Sequence, residues 1–299
     1  MATILVATGD GLRTIGEDGA AGPVQLSGRS VTFVARAKAE LWAILDEAEI
    51  WRATDGEWAH VADLDGLRAT CLAYTEAWLV GSSEAHLFRL SGDALANVDA
   101  FDRVEGRDAW YTPWGGPPDT RSIAEWDENV YVNVHVGGIV RTDDGGATWT
   151  PTIDIDADVH QVTTAEGMVL AACAGGLAVS TDRGATWTYR TEGLERRYAR
   201  GVTVCEDVVL VSASSGPRGG QAAVYRAGLG GGEFERCRAG LPEWFDDNVD
   251  SHCLDAPPDG PVAAFGTSDG ELYVSTDLGS TWDRVADGFP PIRRVLVMP

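Results

Sequence analysis

One eight-residue phrase recurs three times along the chain: TDDGGATW from Thr142, STDRGATW from Ser180 and STDLGSTW from Ser275. Aligned on Asp144, Asp182 and Asp277, the copies are separated by 38 and 95 residues, and 95 is close to two units of 47 or 48. A period of about 40–45 residues belongs to β-propeller blades. Degenerate copies fill the gaps. Residues 211–237 (VSASSGPRGGQAAVYRAGLGGGEFERC) alternate strand and turn without the consensus letters. IWRATDGEW (50–58), LFRLSGDALANV (87–98) and DGLRTIGEDG near the start supply three more, for seven units in all.

Within a unit the pattern is β throughout. Residues 159–191 read as four short runs rich in Val, Thr and Ala, broken at Glu166-Gly167, at Gly175-Gly176 and at the Asp-Arg-Gly turn. Runs such as VTFVA (31–35) and MVLAACA (168–174) are apolar on both faces, as strands sandwiched between neighbouring blades must be. No segment carries a sustained apolar stripe at helical spacing. The N-terminal ATILVATGDGLRTI matches the second and third strands of a unit, and IRRVLVMP (292–299) has the character of the missing first strand. A C-terminal strand that completes the first blade shuts the ring and removes exposed edges. The expectation is all-β: one seven-bladed propeller domain of four-stranded blades over residues 1–299.

Charge bounds the partners. The chain holds 46 acidic residues against 23 basic ones, a formal net charge of −23. Lys38 is the one lysine. Such a surface repels nucleic acid and anionic lipid, and it stays soluble in strong salt, where carboxylate repulsion is screened. The expectation is a cytoplasmic protein of a high-salt cell, monomeric by default. It has no signal segment, no apolar run long enough to span a membrane and no cofactor. The five cysteines lie mostly in apolar strand-like runs without CxxC spacing, which reads as reduced, buried thiols.

The three phrases resemble the Asp-box (BNR) repeat of a propeller superfamily that includes sialidases, with the pattern Ser/Thr-x-Asp-x-Gly-x-Thr-Trp. Thr142, Asp144, Gly146, Thr148 and Trp149 fill it, as do Ser180, Asp182, Gly184, Thr186 and Trp187, and Ser275, Asp277, Gly279, Thr281 and Trp282. The resemblance places this box on the hairpin between third and fourth strands, away from the ligand face. Its role is read as structural. Asp and Ser/Thr side chains satisfy turn N–H groups, glycine permits a left-handed backbone, and tryptophan pins the hairpin.

The resemblance puts the functional face where first strands begin. The segments SGRSV, GLRAT, DTRSI, DVHQV, YARGV, DSHCL and PIRRV mark those starts, and their third places hold Arg29, Arg68, Arg121, His160, Arg200, His252 and Arg293. Their spacings of 39, 53, 39, 40, 52 and 41 follow the blade period plus two insertions. A basic ring at the channel mouth suits a small anionic ligand such as a sugar acid, because guanidinium groups hold carboxylates and phosphates through paired donors. The competing reading is neutralisation, since Asp119, Asp158 and Asp250 each stand two residues before a ring member. Two insertions, WYTPWGGPPDT (110–120) and LPEWFDDNVD (241–250), add Trp110, Tyr111, Trp114, Trp244 and Phe245, and Tyr198 stands beside Arg200. These rings either face a flat ligand or glue the loops down.

Catalysis has thinner support. The Arg-Ile-Pro element of sialidases is absent, and the candidate carboxylates for a glycosidase or lyase are Asp158, Asp250 and Asp119. His160, His252 and His135 are the candidate metal ligands, without any HExxH spacing behind them. The preferred reading is an anion-binding propeller. The alternatives are a protein-binding scaffold, similar to the photosystem II assembly factor among Asp-box propellers, and a hydrolase or lyase.

Overall fold

The protein is a seven-bladed β-propeller in the computed structural model, which describes residues 2–299. Six blades are four-stranded antiparallel sheets in sequence order, spanning residues 31–63, 69–97, 120–151, 159–190, 198–236 and 254–286. The remaining blade is built from both ends of the chain. Thr3–Thr8 pairs with Gly11–Gly16 on one side and with the C-terminal strand Ile292–Met298 on the other, in the register Thr3↔Met298 to Ala7↔Arg294. Its fourth edge is irregular: bridges Leu12↔Gln25 and Ile15↔Ala21 carry residues 21–25 alongside Gly11–Gly16. Pro23 lies in that segment, where a missing N–H is tolerated only at an edge. The C-terminal strand therefore closes the first blade, as its apolar alternation indicates.

Burial explains the strand order within each blade. The second strands Asn129–Val134 and Val208–Ser214 are buried at every residue, whereas the fourth strands Glu57–Asp63 and Gly231–Arg236 are largely exposed. Helix is confined to one four-residue turn, Asp99–Asp102, and three 3-10 turns among the described residues. All five cysteines are buried thiols.

The chain forms two compact units. One comprises residues up to 31, 172–178 and 189–299. Its core holds Leu210, Phe245, Phe265 and Trp282 in one cluster and Ile4, Val6, Val274 and Val295 in another. The other comprises residues 32–171 and 179–188, with clusters around Trp42 and Trp78 and around Phe101, Val132 and Trp149.

The repeated phrase folds identically each time. Asp182 accepts the Thr186 amide N–H at 2.8 Å and the Thr186 hydroxyl at 2.6 Å, and Ser180 Oγ accepts the Gly184 N–H at 2.8 Å. Asp144 and Asp277 repeat these bonds with Thr148 and Thr281. Two consecutive residues take left-handed φ, not the glycine alone: Arg183 (61°) with Gly184 (87°), and Leu278 (60°) with Gly279 (77°). The tryptophans tie each turn into its surroundings. The Trp187 indole N–H donates to Thr152 O at 2.8 Å, and Trp282 packs at 4.9 Å against Phe265. Side chains consumed this way by backbone groups perform turn-bracing, and their carboxylates are spoken for.

Candidate functional site

First strands of the blades begin with a shared irregularity. Register shifts fall between Thr120 and Ser122, between Ala199 and Gly201, and between the pairs Ala7–Arg294 and Thr8–Ile292. The extra residues of these β-bulges are Arg121, Arg200 and Arg293. A bulge re-aims a side chain and interrupts the ladder, and such devices concentrate near functional sites. The other members stand near their first-strand starts at differing offsets, and in the 69–97 blade the bulged residue is Thr70, not Arg68. His160 is the second residue of Val159–Ala165, Arg68 immediately precedes Ala69–Tyr74, Arg29 lies two residues before Val31–Ala37, and His252 two before Leu254–Asp255.

Of their aspartates, Asp158 pairs with His160 as i, i+2 spacing suggests, whereas the other two do not pair along the strand. Asp119 takes Arg68 of the preceding blade at 3.2 Å, not Arg121. Asp250 takes Arg200 of the preceding blade, its Oδ1 accepting from Nε at 2.7 Å, not His252. His252 instead meets Arg294, Nη1 to Nδ1 at 2.8 Å. The strand rule fails because these acids stand before the strands begin, where the chain is turning. The outcome is a set of carboxylates that link neighbouring blades.

Asp158 is the most connected of them. It ends the 3-10 turn Ile155–Ala157 with left-handed backbone (φ 48°) and lies between two histidines. His135 Nε2 is 3.2 Å from Oδ1, and His160 Nε2 is 3.5 Å from Oδ2. The imidazoles come from different blades: His135 follows Asn129–Val134, and His160 opens the next blade. His160 is 0% exposed and His135 3%. Burial alone would raise the Asp158 carboxyl. Hydrogen bonds from His135 and His160, together with their charge, outweigh it and hold the group well below the usual carboxylate range. Trp114 lies over His135, ring centroids 5.1 Å apart and planes tilted by 31°.

The loop aromatics divide sharply. Trp110 packs against Phe101, Phe245 is buried against Phe265, and Trp244 is held between Arg236 at 3.9 Å and Arg196 at 5.0 Å. Tyr198 is half-buried, 5.9 Å from the Arg200 guanidinium. Tyr111 and Trp114 alone among these rings are exposed to solvent.

Sequence reasoning missed a second concavity. A cavity of about 580 Å³ is lined by Glu76, Glu125, Asp127, Glu128, Asp143 and Asp144 against one base, Arg89. Burial, and the nearby Glu76, raise the Glu125 carboxyl above its ordinary value. Its acids come from two blades, and although Asp143 and Asp144 lie in the repeated phrase, nothing in the sequence joins them to Glu76 or Glu125. The one available signal was the acidic run Asp127-Glu128 opposite the Asp143-Asp144 pair.

No protein-family model matches the sequence, and no curated protein matches it. Solved structures do. An ancestral GH74 enzyme is similar over the whole chain (TM-score 0.65, 14% identity), although this chain spans only 40% of that enzyme's length. YCF48 from Cyanidioschyzon merolae is similar over 87% of this chain and 86% of its own (TM-score 0.60, 13% identity). YCF48 bound to D1 peptide is similar over 86% of this chain and 81% of its own (TM-score 0.59, 15% identity). At these identities the likeness is one of fold.

Proposed function

We propose that this protein is a binding propeller whose partner is a protein segment docked on the 110–119 loop, with Tyr111 and Trp114 as anchors. The observation that carries this reading is the exposure of those two rings, 46% and 69%, on a single insertion. Rigid aromatic side chains offer large contact area at small entropic cost and dominate binding energy at protein interfaces. The loop is braced for such a role: the Thr112 hydroxyl is placed to donate to Gly115 O at 2.9 Å or Gly116 O at 3.0 Å. The likeness to the Asp-box propellers, some of which are assembly platforms, supports the same class. So does the similarity to YCF48, which has been solved with the D1 peptide bound.

A second reading, favoured by the bulge arginines Arg200 and Arg293, gives the basic residues at those first-strand starts the task of holding an anionic group, such as a sugar acid. It has less support, because Arg200, like Arg68, already faces an aspartate. A glycosidase or lyase built on Asp158 would use it as nucleophile or charge stabiliser, since a carboxyl held this low neither donates a proton near neutrality nor serves well as a base.

The test is site-specific photo-crosslinking in concentrated KCl, with the photoreactive residue at position 114 and, as control, at the exposed Tyr189. A discrete adduct from position 114, absent from 189 and lost in Tyr111→Ala, supports docking. A melting-point rise with a sugar acid or phosphate that disappears in Arg293→Ala supports the second reading. Silence in both assays overturns both.

A further inference from the structure

We propose that His135, Asp158 and His160 form a binding site for a divalent transition-metal ion, with zinc as the ion their donors suit best. This goes beyond the docking reading and does not depend on it. Among the described residues, this is the one group of three His, Cys, Asp or Glu side chains whose ligand atoms all lie within 4.8 Å of one another. Two imidazole nitrogens and one carboxylate oxygen are a donor set for zinc and its neighbours in the first transition row, not for the hard ions calcium and magnesium.

The spacing fits. Donors about 2.0–2.2 Å from a shared ion, at roughly tetrahedral angles, stand about 3.3 Å apart. His135 Nε2 stands 3.2 Å from Oδ1 and His160 Nε2 3.5 Å from Oδ2, one carboxylate oxygen to each imidazole, so the carboxylate meets the ion by turning one oxygen toward both. Both histidines present the same atom, Nε2, from separate blades, so the blade framework fixes the geometry before any ion arrives. In the metal-free state both Nε2 atoms face the Asp158 carboxylate; an ion displaces any Nε2 proton, takes the nitrogen lone pairs and draws the carboxylate to itself. Access is available, because the Asp158 side chain is 23% exposed while both imidazoles are buried. Trp114 covers the His135 ring and shields that flank. The chain's net charge of −23 enriches cations at its surface. The remaining histidine of the ring is excluded from such a role, since the Arg294 guanidinium occupies the Nδ1 side of His252.

The experiment is calorimetric titration of chelator-treated protein with zinc chloride in concentrated KCl, paired with melting curves and the visible spectrum after cobalt(II) addition. One zinc per chain, a raised melting point and intense cobalt bands of a four- or five-coordinate site are expected. His135→Gln and Asp158→Asn keep hydrogen-bonding groups in place. Each is expected to weaken zinc binding by more than about tenfold, since losing even an outer-sphere partner of a metal ligand costs that much. The metal-free melting point should fall in Asp158→Asn, which keeps the left-handed backbone but loses the carboxylate facing both imidazoles, so zinc binding is compared at a temperature where the variant is folded. Absence of stoichiometric zinc binding, or binding unchanged in both variants, overturns the site and leaves a hydrogen-bonded latch between blades. Should a variant fail to fold, the cobalt spectrum of the unaltered protein decides: pale octahedral bands overturn the proposal.

Discussion

Thr186 gives Asp182 two hydrogen bonds, one from its amide N–H and one from its hydroxyl, so a single carboxylate closes the turn at both of its oxygens. The same pair recurs as Thr148 with Asp144 and Thr281 with Asp277. Hydrogen bonds from Thr148 and Thr186 lower Asp144 and Asp182 to about 2, and Asp277 is lowered too, with bonds from Thr281 overcoming burial.

These depressed values make the turns acid-sensitive. Carboxyls whose folded pKa lies below the unfolded one contribute stability that is complete above the ordinary carboxylate pKa and is lost as pH falls through the folded value. Circular-dichroism melts between pH 5 and pH 2 should therefore show a falling melting point. Asp182→Asn should begin less stable at pH 5 and lose less over the same interval. Parallel curves for the two proteins would disconnect the turn from acid unfolding.

Gly279 is a position where no side chain fits. A Cβ there would stand 2.7 Å from Leu210 Cδ2, on backbone with φ +77°. Gly279→Ala combines left-handed strain with overpacking, an expected loss of roughly 2–4 kcal/mol in urea unfolding. Gly56→Ala, also at positive φ but with open space around it, should cost roughly 1–2 kcal/mol from strain alone. Equal losses would mean that the Leu210 contact is irrelevant.

Asp255 works in the opposite sense to the turn aspartates. Burial pushes its carboxyl up to about 6, against the pull of Arg294 and the Val297 N–H, which donates to Oδ2 at 2.7 Å. A raised folded pKa favours the folded state at low pH, and that advantage is lost as pH rises from about 4 through 6. Asp255→Asn should remove this decline. Its stability relative to the unaltered protein should climb by up to about 3 kcal/mol between pH 4 and pH 7. Denaturant titrations across that range measure it, and a pH-independent difference would refute the assignment.

Net charge sets the response to salt. With −23 charges spread along the chain, self-repulsion opposes the folded state at low ionic strength. Raising KCl from 0.1 M to 2 M shortens the Debye length from about 10 Å to under about 3 Å, so the melting point should rise steeply. A melting point indifferent to KCl would remove the inference of a high-salt cytoplasm.

The sequence already contained the architecture, because turn chemistry is local. Asp182, Gly184 and Thr186 lie within five residues, so their spacing alone announces the bonds they make. Three such turns and four degenerate units at a propeller period, with Ile292–Met298 shaped like the strand missing from the first, leave little choice of fold. Three of the seven basic positions read from the same period, Arg121, Arg200 and Arg293, occupy bulges at first-strand starts.

Their partners were not legible. Asp119 turns to Arg68, 51 residues back in the chain, and Asp250 to Arg200, 50 back, because a carboxylate standing before a strand can reach the neighbouring blade as well as its own; Asp158 does both. His135 and His160 meet over Asp158 for the same reason, 25 residues apart and with no spacing motif to join them. Which rings stay dry and which face water was likewise decided by packing, which buried Phe245, clamped Trp244 between arginines and left Trp114 outside. Repetition fixes what each unit must be. Only the contact of one unit with the next decides which of its polar groups are already satisfied and which can serve another molecule.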